Sequence, residues 1–184
     1  MDERRITQLL LSDPRIKLVF GGLYASDRFP AMEDGKLYLI NTAKYLDPIG
    51  EHYVIVERGL ISPKMVSWAC SYASNPQKYP LIYARLKETG CQISKLRKPL
   101  QKLKNDKLTN CSSYSLFFAY HLARGIGIRQ MERTYFDHVN LYKLNIFIVV
   151  VIRALFKVKT SIGSLLYDRK FVESLKKKEI NGRK

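Results

Sequence analysis

Apolar and polar positions recur along this chain with two different periods, and each change of period marks an element. Ile6, Leu9 and Leu10 share one face of a helix over residues 3–12, which Asp13-Pro14 is expected to end, because a proline drives its predecessor out of helical geometry. Residues 19–30 set Gly21-Gly22 and Pro30 among aromatic residues and predict an irregular or strand-entering stretch. Residues 36–41, 52–57 and 66–71 are short, rich in Val, Ile, Tyr or Trp, and separated by the turn formers Asp47-Pro48, Gly59 and Asn75-Pro76. Three strands are predicted there. Residues 79–88 suit a helix that Gly90 ends, and 96–108 read as a basic connector. Ser112 and Ser113 then precede Leu116, Phe117, Tyr120 and Leu122 in a helical run that closes at Gly125. Two more helices are predicted near 144–157 and 164–178. The first is apolar almost all round, which predicts burial against the sheet, and it is too short to span a bilayer and carries Arg153.

A chain of 184 residues, 46% apolar and 26% charged, can bury a real core and fits one domain over residues 1–184. Charge changes the picture most. Lys and Arg number 32 against 16 Asp and Glu, a formal +16, clustered at 95–107 and 157–184. Such a field attracts polyanions, which makes nucleic acid or an anionic membrane surface the expected neighbour. No helix-turn-helix, zinc-finger or RNA-binding signature accompanies it, so the DNA binding it implies is not sequence-specific. The cysteines, Cys70, Cys91 and Cys111, are odd in number and lack metal-ligand spacing, which argues against a disulfide framework or a zinc site and for a reducing compartment. No cofactor is predicted. The chain opens on charge with no long apolar core behind it, so no secretory signal is expected. With the one apolar run too short to span a bilayer, DNA rather than a membrane is the expected partner.

Cys111 stands where the apolar helix begins, and unpaired N–H groups and the helix dipole at such a position favour the nucleophilic thiolate. His52, opening a strand after the Pro48-Ile49-Gly50 turn, is placed to expose its ring at a strand end. His121 and His138 lie within or after predicted helices and read as structural.

Read with their neighbours, these residues resemble the adenovirus protease family, including the proteases of adenovirus-like mobile elements. Four blocks carry the resemblance. Residues 20–30, FGGLYASDRFP, are similar to the family's amino-terminal block. Residues 40–53, INTAKYLDPIGEHY, resemble an Asn-Thr strand followed by Gly-x-His-Trp, with Tyr53 in the tryptophan's place. Residues 71–79, SYASNPQKY, resemble the stretch after the catalytic acid, and residues 111–125, CSSYSLFFAYHLARG, the Cys-Gly-x-Tyr-Cys helix. The resemblance covers most of residues 18–125 and leaves 126–184 as a helical, basic part.

It implies an α+β, papain-like fold: a small mixed sheet bearing the histidine, packed against helices, with the nucleophile at a helix N-terminus. By the same resemblance Cys111 is the nucleophile, His52 the general base and Gln101 the donor to the oxyanion. Two positions depart from the pattern. Cys70 stands where the family has an acid, and Ser112 where it has a glycine. Asn75 is the nearest amide able to take the acid's place.

The implied function is a cysteine endopeptidase that processes viral or element-encoded structural precursors during virion maturation, moves on DNA, and is located in the virion and host nucleus. The resemblance also allows for an activating peptide. The alternative is a catalytically degenerate relative acting as a DNA- or capsid-associated binding protein. A cellular protease of ubiquitin-like modifiers shares the catalytic order, but FGGLYASDRFP belongs to the viral type.

Overall fold

A five-stranded mixed sheet organises the fold, with strands in the order β1-β2-β3-β4-β5. The computed structural model describes residues 3–47, 52–101, 111–137 and 141–156. The expected helix near 164–178, His138, most of the basic connector and the basic 157–184 segment lie outside these residues.

The strands are β1 (Phe20–Ala25), β2 (Lys36–Asn41), β3 (Tyr53–Arg58), β4 (Met65–Ala69) and β5 (Gln92–Lys95). The pairs β1–β2 and β4–β5 are parallel, and β2–β3–β4 form an antiparallel meander. The three expected strands are β2, β3 and β4. The stretch expected to be irregular or strand-entering is a paired edge strand, in which a Cβ at Gly21 would lie 2.4 Å from the Tyr38 ring. Only glycine lets the backbone pass so close. The other edge strand, β5, is too short and polar for period-2 alternation to have marked it.

Helix α1 (Glu3–Ser12) forms where the periodicity placed it. Asp13-Pro14 ends it there, as expected, and also starts a new helix. Asp13 caps a second helix, α2 (Pro14–Val19), by accepting from the Arg15 and Ile16 N–H groups at 3.0 Å each, with Pro14 in the first turn. Proline is favoured there because that turn's N–H has no helical partner to lose.

Alternation divides the sheet's side chains between two cores. Leu37, Leu39, Ile55 and Ala69 face α1 and helix α4 (Cys111–Leu122). Tyr38, Ile40, Val54, Val56, Val66, Trp68 and Cys70 face the other way, toward Ile82 and Leu86 of α3 (Pro80–Glu88). Nine of the twelve residues of α4 are buried, so it is a central core helix.

A short helix α5 (Ile128–Met131) runs into a π-turn (Glu132–Phe136) before α6 (Leu141–Leu155). Against expectation, α6 is not buried all round or packed mainly on the sheet. Leu144, Ile148, Ile152 and the following Phe156 form a stripe at helical spacing that packs toward α4, while Phe147 and Val150 are exposed. The observed architecture is α+β.

Candidate active site

The antiparallel register carries His52 and Cys70 to one end of the sheet. Ile55 pairs with Ala69 and Val56 with Trp68, so continuing the ladder sets Val54 against Cys70 and His52 against Tyr72. The side chains agree. The Tyr72 ring lies 4.6 Å from the His52 ring, centroid to centroid, and Cys70 Sγ is 3.3 Å from His52 Nε2. Cys70 therefore occupies the place where an orienting acid is expected.

Asn75 does not substitute for it. Its side-chain oxygen accepts from the Gln77 N–H at 3.4 Å and its amide donates to Gln77 Oε1 at 3.0 Å, capping the turn Pro76–Lys78. The loop after β4 has more use for a cap than for a second partner on the histidine.

His52 is only 5% exposed, and burial lowers its pKa from 6.5 to about 4, because the imidazolium is poorly solvated there. Cys70 is fully buried, and burial raises its pKa; backbone contacts from Ser74 and Tyr72 and the Ser74 hydroxyl oppose this, while Cys111 adds to it. At neutral pH the pair is a thiol beside a neutral imidazole.

That chemistry leaves the tautomer open. A thiol both donates and accepts, whereas a carboxylate only accepts. If Cys70 S–H donates to Nε2, the ring proton sits on Nδ1. If Nε2–H donates to sulfur, the Nδ1 lone pair is open to take a proton. Nδ1 is buried without a hydrogen-bond partner, as is Oγ1 of Thr42. Thr42 is the residue directly across β2–β3 from His52, and its N–H donates to the His52 carbonyl at 2.8 Å.

Cys111 is the first residue of α4 and is half-buried. One turn further on, Ser115 donates to the carbonyl of Tyr53, the residue after His52, at 3.3 Å. This fastens the start of α4 to the start of β3. Ser112, in the glycine's expected place, is buried.

Gln101 is buried and tied to the same loop. Ser71 Oγ donates to its Oε1 at 2.8 Å, and the Ser71 carbonyl accepts from the N–H groups of Leu100 and Gln101 at 2.7 and 3.2 Å. Tyr114, one turn into α4, donates its hydroxyl to the Leu100 carbonyl at 3.2 Å. Thus Cys70 and Ser71, consecutive residues, hold the histidine and the glutamine respectively. Sequence reasoning gave no role to Ser71 and Tyr72; the signal available was their adjacency to Cys70 at the end of an expected strand.

His121 is packed 4.1 Å from the Phe117 ring, with Nδ1 2.8 Å from the Phe117 carbonyl and Nε2 3.3 Å from the Tyr135 hydroxyl. Its role is structural. Among the described residues no group of three or more His, Cys, Asp or Glu could hold a metal ion, and no helix is long and apolar enough to cross a membrane. No family model matches the chain, and no curated protein matches it in sequence.

Proposed function

We propose that this protein is a thiol endopeptidase of the adenovirus-protease type, with an adenain-like variant of the papain fold, in which Cys111 attacks a peptide carbonyl and His52 takes the thiol proton. The observation that carries the reading is the convergence of three elements: the start of α4 with Cys111, the start of β3 with His52, and the loop after β4 that holds both His52 and Gln101. This supplies a nucleophile, a base and an amide donor, the set acyl transfer requires. In this reading the substrates are viral or element-encoded structural precursors, the polyanion that the +16 charge attracts is DNA, and the site of action is the virion and host nucleus.

One observation favours the second reading, a degenerate relative that binds DNA or capsid without cleaving. The partner of His52 is a neutral thiol, which does not stabilise an imidazolium as a carboxylate does. In the serine-protease reference case, replacing the acid by an amide lowers turnover by about 10⁴.

A thiol-directed active-site probe, applied with and without duplex DNA, separates the two. The endopeptidase should be labelled, and Cys111→Ala should abolish labelling together with peptide hydrolysis. Labelling that survives Cys111→Ala but disappears with Cys70→Ala or Cys91→Ala would overturn the assignment.

A further inference from the structure

Ser71 is 1% exposed and its hydroxyl hydrogen faces the oxygen end of a side chain that is itself 4% exposed, Gln101. A carboxamide has two ends of similar shape and opposite polarity, and burial alone does not select between them. A hydroxyl donating at 2.8 Å to Oε1 does so only by where its hydrogen goes: with the amide reversed, the hydroxyl would turn to accept from the NH2 group and its own buried hydrogen would lose this acceptor. We infer that Ser71 is a positioning residue: it fixes the Gln101 carboxamide with its NH2 group available to an oxyanion formed at Cys111. The inference rests on the proposed thiol-protease chemistry and adds to it a residue that the chemistry alone does not name.

Three further contacts limit how Gln101 can move. The Ser71 carbonyl holds the Leu100 and Gln101 N–H groups, so the backbone beneath the carboxamide is anchored by the same residue that orients its tip. Tyr114 holds the Leu100 carbonyl from α4, the helix that begins with Cys111. The distance between nucleophile and amide is thereby set through one turn of helix. Ser71 also follows Cys70 directly, so a displacement of this loop disturbs base and oxyanion donor together.

An oxyanion donor acts in the transition state, and losing one costs about 100-fold or more in kcat. Gln101→Ala should show that loss. Ser71→Ala, which leaves the amide present but free to reverse, should lower kcat by about 10-fold with KM little changed, and Ser71→Thr should restore most of it. Affinity for a peptide aldehyde, whose hemithioacetal carries the oxyanion, should fall with kcat. The rate at which iodoacetamide alkylates Cys111 should stay at the wild-type level, since alkylation forms no oxyanion.

The decisive comparison is the double variant. In a Gln101→Ala background Ser71→Ala should have no further effect on kcat, because there is no amide left to orient. If it costs the same factor there as in wild type, or if Ser71→Ala turns over like wild type, the inference is overturned while the protease reading stands. If wild type and Cys111→Ala show the same hydrolysis, the protease reading fails and takes the inference with it. Should Ser71→Ala melt below the assay temperature, Ser71→Cys, a weak donor of similar volume, takes its place in the cycle under the same criteria.

Discussion

The two nitrogens of His52 are unlike: a thiol lies 3.3 Å from Nε2, and Nδ1 is buried with no hydrogen bond. Neither arrangement supports a charged ring, and burial holds the pKa near 4. The base is therefore neutral throughout the physiological range, and the acid limb of a pH–rate profile should lie close to 4 rather than 6.5. Cys70→Asp places an acceptor-only, negatively charged group against Nε2. It should select the Nε2–H tautomer, raise the pKa of His52 and move the acid limb to higher pH, with an increase in kcat/KM on a peptide substrate. The position is fully buried, so a carboxylate there also costs desolvation, and a thermal melt must accompany the kinetics. A variant that melts like wild type, with neither a faster rate nor a shifted limb, would sink this account of the pair.

At the scale of elements, the joint between α1 and α2 ties the amino-terminal helices to α4, the helix headed by Cys111. Asp13 caps α2 with one carboxylate oxygen and with the other accepts from Arg124 at 2.7 Å, just beyond the end of α4. Both side chains of this ion pair are largely shielded, at 10% and 19% exposure, so it is stronger than an open surface pair. The guanidinium also lies 3.4 Å over the Tyr120 ring. Asp13→Ala removes cap and pair together and should lower unfolding free energy by about 2 kcal/mol. Asp13→Asn keeps the cap, since asparagine serves as well at that position, and should lose about half as much. Equal losses in chemical denaturation would mean that the ion pair contributes nothing.

For the whole molecule the dominant property is charge. An excess of 16 positive charges on 184 residues is a long-range field rather than a set of contacts, and it needs no base-reading element to hold duplex DNA. Affinity should be insensitive to DNA sequence. If about four phosphates are neutralised, Kd should rise by about 100-fold between about 50 mM and about 200 mM salt. A fluorescence-anisotropy titration measures this directly, and a Kd that stays constant over that range would exclude the electrostatic mode.

What the sequence determined on its own is local. Period-3.6 spacing of Ile6, Leu9 and Leu10 specifies α1, short runs rich in Val, Ile, Tyr or Trp between turn formers specify β2 to β4, and the Ser-rich start followed by an apolar run specifies α4 with Cys111 at its head. These features depend on neighbours within a few residues, which a linear chain displays. The rest was decided by tertiary structure. Asp13-Pro14 ends α1, as the sequence implies, but it also begins α2, because a capping side chain makes proline a first residue. Strand β5 forms because β4 offers it an edge, and α6 buries one stripe because α4 faces it from one side. Around His52 the same division holds. Alternation brings Cys70 into the core, but only the antiparallel register sets it, and not Asn75, against the imidazole. The hydrogen bond from Ser71 to Gln101 joins residues thirty positions apart. Such a contact leaves no periodic trace in the chain, since its partners are matched by where two strand ends and a loop come to rest.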